Sequence, residues 1–472
     1  MAAAREQFGS RLGFILAAAG SAVGIGNLVG FPVQAAKNGG AAFLIIYAFF
    51  VFFVCLPIMM AELSMGRHAQ KDPLNTYRTL SGNSGLWSIA GWLALITPYM
   101  IAVFYMVITV WLFGYLWQAL IGNLDLLASP EHFGQFINGN SVFVYFLGVV
   151  LLVNVILLGG VKYGIERAAK ILMPTLVVML VGLVIFVLTL DNAFAGVSFY
   201  LVPDFSKLNT GVVNDALAHA FFSLSLGMGI LITYGSYMGR GEKITNSAKL
   251  VAMTDTGVAF FAGLMIMPAI FSFNPDINPA DLSESSVSLI FTFLPKIFLA
   301  LQATIGYFGA SVVAVLFFLL VFFAAITSMV SITEVPVASL MQSRGYSRKK
   351  SLMLLILSMG LLSVICILSF GRVEIFTAFI SYAGQTKSFF DVIVDVFYET
   401  ILPLNGLLLC LFVIFRWKKT NLNAELERGD SSYKGTLMER YVDLSLGTFI
   451  PLVLLIIFIN TVALKYFGAS LL

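Results

Sequence analysis

Two glycine-punctuated stretches fall in the middle of otherwise apolar segments: Gly20-Ser-Ala-Val-Gly24-Ile-Gly26-Asn27 and Phe221-Phe-Ser223-Leu-Ser225-Leu-Gly227-Met-Gly229. Each glycine costs a helix interior about 1 kcal/mol relative to alanine, so a helix through either stretch is expected to break there. At lipid depth a break is tolerated only where protein buries it or where it lines a cavity. What it offers is main-chain chemistry. The N-terminus of a half-helix presents free N–H groups to a carboxylate, and freed carbonyls present oxygen to a cation. An α-carboxylate and a sodium ion suit that environment; an aspartate at position 24 would instead favour a cationic amine, and this chain has Gly24. One such stretch could serve close helix packing, but two in matching positions five spans apart favour a binding site. A third stretch, Ala324-Ala-Ile-Thr327-Ser328, pairs adjacent hydroxyls. With nearby carbonyls they make an oxygen-only site for a hard, singly charged cation, unless both bond back to their own helix.

These stretches must be held by long apolar elements. Of 472 residues, 59% are hydrophobic and 11% charged, with a mean hydropathy of +0.95; soluble proteins carry about twice that charge. Segments long enough to cross a bilayer, about 20 residues, fall near 12–36, 41–65, 87–121, 142–158, 168–190 and 213–237. Five more fall near 251–273, 308–341, 351–370, 390–415 and 444–464. The expected fold class is therefore an all-α integral membrane protein of eleven spans. Of the 27 Lys and Arg, 21 lie on the side of the N-terminus and six on the other: Lys37, Lys207, Lys296, Arg372, Lys387 and Lys465. That asymmetry places the N-terminus in the cytoplasm.

Other classes fit less well. A net charge of +3 gives no reason to expect a nucleic-acid partner. Cys55, Cys366 and Cys410 sit singly in apolar segments, without metal-ligand spacing. His68, His132 and His219 are scattered, so the clustered chemistry of a membrane enzyme is missing. No cleavable signal peptide is evident, and nothing speaks to oligomeric state.

Taken in order, the segments resemble the neurotransmitter:sodium symporter family. The resemblance rests on Gly20–Pro32 (GSAVGIGNLVGFP), Asn38–Phe43 and Ala61-Glu62-Leu-Ser-Met-Gly66-Arg67. Gly164-Ile-Glu-Arg167 with Met173-Pro174, Phe221–Gly229 and Phe322–Ser328 extend it. It implies an inverted five-plus-five repeat with helices one and six broken: residues 1–190, then 191–416, then a cytoplasmic loop and eleventh helix over 417–472. It also implies sodium-coupled symport, in a bacterial inner membrane, of a small amino acid.

Carried over by position, the resemblance places the substrate carboxylate against Ala22, Gly24, Ile25 and Gly26, with Tyr105 donating its hydroxyl. Phe222 and Tyr105 match an aromatic pair that closes over substrate; Ile101, Ser223, Ser225, Met228, Ser328 and Ile332 match further pocket positions. One sodium site would use Ala22, Asn27, Ser223 and a seventh-span residue, Thr254 or Asp255. A second would use Gly20, Val23, Ala324, Thr327 and Ser328. Glu62 matches a residue that satisfies backbone in the broken sixth span, with an ion pair to Arg67 as the alternative. Gly164 and Pro174 match a segment that unwinds to admit water, and 286–301 matches a hairpin that caps the vestibule. The apolar pocket favours hydrophobic or aromatic L-amino acids; taurine, GABA, a betaine or a sodium-independent exchanger are the alternatives.

Three positions depart from the family pattern. Gly30 stands where an arginine usually pairs with a span-ten acid, leaving Asp395 with Lys387 as a candidate partner. Gln342 stands where Arg5 usually meets an acid. Both gates are therefore expected to be weakened. Val258 replaces a small hydroxyl residue of chloride-dependent members, and the Asp255 carboxylate could supply that charge, so no chloride is expected. His219 reads as a satisfied buried polar residue.

Overall fold

The structure, a computed structural model, describes residues 5–273, 275, 287 and 289–469. Its long apolar runs wind into helices because a helix satisfies its own backbone where no water can. The first span is two half-helices, α1 (Arg11–Ala22) and α2 (Gly26–Lys37), bent by 53°. Then come α3 (Ala41–Ala69), α4 (Gly85–Leu120), α5 (Ser141–Leu158) and α6 (Gly160–Val187). The sixth predicted span is again two pieces, α7 (Thr210–Ser223) and α8 (Ile230–Gly235). The rest are α9 (Ile244–Phe273), α10 (Gln302–Arg344), α11 (Arg348–Leu368) and α12 (Phe389–Trp417). A short α13 (Lys419–Gly429) leads to α14 (Leu437–Phe467).

Among the described residues nine helices are long and apolar enough to cross a membrane, and the bent first pair makes ten. The remaining expected span, the sixth at residues 213–237, fails on length because Ser225, Gly227 and Gly229 all take positive φ and stop the helix. The all-α expectation needs one addition. Ile380–Tyr382 pairs antiparallel with Gln385–Lys387 across Ala383-Gly384, both at positive φ, the twist a two-residue hairpin turn demands. Of the predicted capping hairpin, Ser286 and Ser288 lie outside the described residues, and Leu289–Ala300 is a short apolar helix.

Lipid exposure is written on α5. Val144, Leu147, Leu151, Val155 and Leu158 are exposed, while Val142, Phe146, Val149, Val153 and Leu157 are buried. Both sets recur at helical spacing, so the helix is apolar all round, as a span must be. The interior is lined by α1, α4, α7–α8 and α10, which bring the two breaks together.

Candidate functional site

In α1 the helix ends because Val23 turns extended (φ −69°, ψ 103°). Asn27 then closes the turn, its Oδ1 accepting from the Gly24 N–H at 3.0 Å. The Ile25 N–H donates to the Tyr105 hydroxyl oxygen at 3.4 Å. Across from it, Ser225 Oγ donates to the Ser21 carbonyl at 3.0 Å, so the two breaks touch. Between them lies a cavity of about 20 Å³ lined by Ala22, Gly24, Gly26, Asn27, Tyr105, Phe222, Ser225, Met228, Ser328 and Ile332, together with Ser21. It has room for about one water. Ile25, Ile101 and Ser223, also predicted for this pocket, are buried but do not line it.

Phe222 closes one end, standing edge-on to Tyr398 with centroids 4.3 Å apart. Beyond it lies a second cavity of about 300 Å³, bordered by Asp215, His219, Glu399 and Lys465. Gly24 is tightly fitted: a Cβ there would sit 2.9 Å from Ser328 Oγ and 3.0 Å from the Tyr105 hydroxyl. Gly24→Ala is therefore expected to leave the fold in place and cut substrate binding by about tenfold or more, a methyl forced into a filled site costing about 1–3 kcal/mol. Equilibrium binding beside a thermal melt checks both halves.

Two oxygen clusters flank the pocket. In the first, Asp255 is fully buried and accepts from Asn27 Nδ2 (2.7 Å), Ser223 Oγ (2.9 Å) and the Tyr47 hydroxyl (3.1 Å). Thr254 is not part of it: its hydroxyl returns to the Leu250 carbonyl at 2.8 Å. Successive helical residues point about 100° apart, so Asp255 facing inward turns Thr254 away. Tyr47 had no sequence signal, lying mid-span without punctuation.

In the second cluster Ser328 Oγ reaches the carbonyls of Val23 (3.3 Å) and Gly20 (3.5 Å). Thr327 Oγ1 instead donates within its own helix, to Ala324 O at 3.0 Å. Among the described residues no group of three His, Cys, Asp or Glu gathers anywhere. Oxygen donors carrying at most one fixed charge suit a hard monovalent cation better than a transition metal.

The charged ends differ from expectation. Arg5 Nη1 does reach Gln342 Oε1, at 3.0 Å, but the ionic contact has moved rather than vanished. Glu334, fully buried, takes Arg348 at 2.7 Å and the Tyr237 hydroxyl at 2.7 Å, while Glu6 joins Arg348 at 3.2 Å. On the opposite face Asp395 is paired twice, with Lys387 at 3.4 Å and Lys465 at 3.3 Å, and takes the Tyr382 hydroxyl at 2.6 Å. Neither end lacks ion pairs: the hairpin supplies Lys387, the candidate named from sequence, and α14 supplies Lys465 from 70 positions away.

Glu62 Oε1 accepts the Gly227 N–H at 2.8 Å, as the sixth-span reading required. Arg67 pairs not with Glu62 but with Glu425 at 2.7 Å. His219 packs against Phe31 and Tyr47, but the hydrogen bond expected of it is not made by protein: its Nε2 has no partner among the described residues. The Gly164 segment is wound, as a π-helix over Gly160–Glu166.

Broken helices enclosing a cavity between two oxygen clusters define a carrier of small solutes rather than an enzyme. Residues 5–132 and 135–466 match the sodium:neurotransmitter symporter family, and the chain belongs to it. It is a sodium-dependent, multi-pass membrane transporter. An uncharacterized sodium-dependent transporter of Bacillus subtilis (strain 168), YhdH, is 32% identical over 465 residues, covering 98% of each chain. Another from Methanocaldococcus jannaschii, MJ1319, is 35% identical over 366 residues, covering 74% of this chain and 72% of that one. The crystal structure of MhsT in complex with L-phenylalanine superposes with a TM-score of 0.84 at 36% identity, covering 97% of this chain and 99% of that one.

Proposed function

We propose that this protein carries a neutral, hydrophobic or aromatic L-amino acid into the cell with sodium, by alternating access. The observation that carries the reading is Asn27. Its Oδ1 holds the Gly24 N–H in the substrate-facing turn, while its Nδ2 binds Asp255 and Ser223. One side chain thus spans both sites, so ion and substrate each complete the other's surroundings. The substrate carboxylate would meet the break at Ala22–Gly26 and Tyr105, its side chain Met228, Ile332 and Phe222. Phe222 and Tyr398 must part to admit it.

One sodium would use Ala22, Asn27, Ser223 and Asp255; the second Gly20, Val23, Ala324, Thr327 and Ser328. The Asp255 carboxylate makes chloride unnecessary. The protein would sit in a bacterial inner membrane, N-terminus in the cytoplasm, with residues 1–190 and 191–416 as inverted repeats. The Arg5–Glu334–Arg348 end would then close the inner gate and the Asp395 end the outer. Two sodium ions with a zwitterion crossing 100 mV release about 4.6 kcal/mol, enough for roughly a thousandfold gradient.

Uptake by purified protein in liposomes tests this, with an inward sodium gradient or potassium in its place. Leucine, phenylalanine, tyrosine or tryptophan should accumulate with sodium only, and equally well when gluconate replaces chloride. Accumulation without sodium indicates an exchanger; taurine, GABA or betaine accumulating alone refutes the substrate class; a chloride requirement refutes the role of Asp255.

A further inference from the structure

The break in the sixth span is held at one residue, Gly227, from two sides. Gly227 donates its N–H to Glu62 Oε1 at 2.8 Å, and its carbonyl accepts from Asn405 Nδ2 at 2.8 Å. Asn405 belongs to α12, is nearly fully buried, and stands in no motif. A carboxamide nitrogen has two hydrogens, and the second reaches Thr97 Oγ1 on α4 at 3.0 Å. Thr97 lies one turn before Ile101 and two turns before Tyr105, which lines the pocket. Pro98 follows it; lacking an N–H, it leaves the Ala94 carbonyl without its helical donor. Gly229 packs onto that carbonyl so closely that a Cβ would sit 2.6 Å from the oxygen. Here α4 therefore meets the break backbone to backbone, and Asn405 joins the two.

We propose that Asn405 is a positioning residue for substrate selection. By tying Gly227 to Thr97 it fixes the distance between the wall that carries Tyr105 and the wall that carries Ser225 and Met228. Those two residues flank Gly227, so a shift of its peptide moves both. The pocket width, and with it the size of side chain accepted, depends on a residue that never touches substrate. This inference rests on the amino-acid reading above.

The test uses Asn405→Leu, which keeps the branched shape without donors, Thr97→Val, which removes the acceptor, and their double variant. Ser363→Ala serves as control, because Ser363 Oγ donates to Val103 O of α4 at 2.9 Å, away from the break. Equilibrium binding of labelled alanine, leucine, phenylalanine and tryptophan is measured in sodium, alongside thermal melts. Both single variants should shift the leucine-to-tryptophan affinity ratio by about tenfold in the same direction, since Asn405→Leu leaves the buried Gly227 carbonyl unpaired and Thr97→Val leaves an Asn405 N–H unpaired. The double variant should shift it no further, half-saturating sodium should hold, and Ser363→Ala should lower only the melting temperature. A ratio unmoved while Asn405→Leu melts earlier overturns the proposal and leaves Asn405 as a stabilising contact. If the wild type binds none of the panel, the substrate reading fails instead. Positioning is then read from alkylation of Ser225→Cys, with Cys55, Cys366 and Cys410 replaced by alanine. Asn405→Leu should speed it about tenfold, and an unchanged rate overturns the proposal.

Discussion

Asp255→Asn raises the half-saturating sodium concentration by roughly a hundredfold or more, and uptake at ordinary sodium falls to background. The carboxylate is fully buried and collects hydrogen bonds from Asn27, Ser223 and Tyr47. Removing one member of a buried charge pair costs about 3–5 kcal/mol, and about 1.4 kcal/mol is a factor of ten. Asparagine keeps the shape, loses the charge and turns one acceptor oxygen into a donor that the Tyr47 or Ser223 hydroxyl can accept by rotating its hydrogen, so the fold should survive. Asp255→Ser vacates volume as well, and it is expected to recover uptake when chloride is supplied and not when gluconate is. Sodium activation curves in the two anions decide it. An asparagine variant with unchanged sodium activation would show that the charge is structural and that the cation binds elsewhere.

Arg67→Ala lowers stability by about 3–5 kcal/mol, the cost of removing one partner of a buried ion pair. The side chains of Arg67 and Glu425 are 0% and 1% exposed, with Nε and Oε1 2.7 Å apart. Arg67 also donates to the Glu425 carbonyl and to that of Glu242, so one side chain fastens α3, α13 and the turn before α9. His68 and Arg428 complete the carboxylate's partners at 3.0 and 2.9 Å. Burial pushes the Glu425 carboxyl up, but the hydrogen bonds from His68 and Arg67 and the charges of Arg67 and Arg428 outweigh it, and the net shift is downward. A carboxylate depressed in the folded state stabilises fully above its unfolded pKa and loses that contribution as pH falls through its folded one. The wild type should therefore loosen on acidification below the usual carboxylate range, and Arg67→Ala should flatten that slope. Melting curves from pH 7 downward measure it, with protease cleavage in 419–430 reporting release of α13. If Arg67→Ala/Glu425→Ala is no more stable than Arg67→Ala, the penalty is not the orphaned carboxylate.

How much of this was legible in advance follows the range of the signals. Spans, breaks and the Asn27–Ser223–Asp255 set came from local pattern and family resemblance, and the structure brings those three together. Choosing between Thr254 and Asp255 needed the rotation of α9, which packing fixes and a run of apolar residues does not. The two charged ends were read as weakened for a different reason. Gly30 and Gln342 mark missing charges at two positions, but their replacements come from Lys387 on a three-residue strand, Lys465 at the end of α14, and Glu6 with Arg348. Lys387 lies just before Asp395 and was the candidate partner in advance, but Lys465 is 70 positions from Asp395 and Glu6 is 342 from Arg348.

By itself the sequence determined that this chain lives in lipid and where its helices fail. Hydrocarbon admits only backbone that satisfies itself, and glycine spacing is local. Only the tertiary structure decided which carboxylate meets which cation. It also decided which buried amide, Asn405, holds the sixth-span break against α4. Ion pairs and side-chain hydrogen bonds act over a few ångströms of space, and chain order does not set which groups come that close.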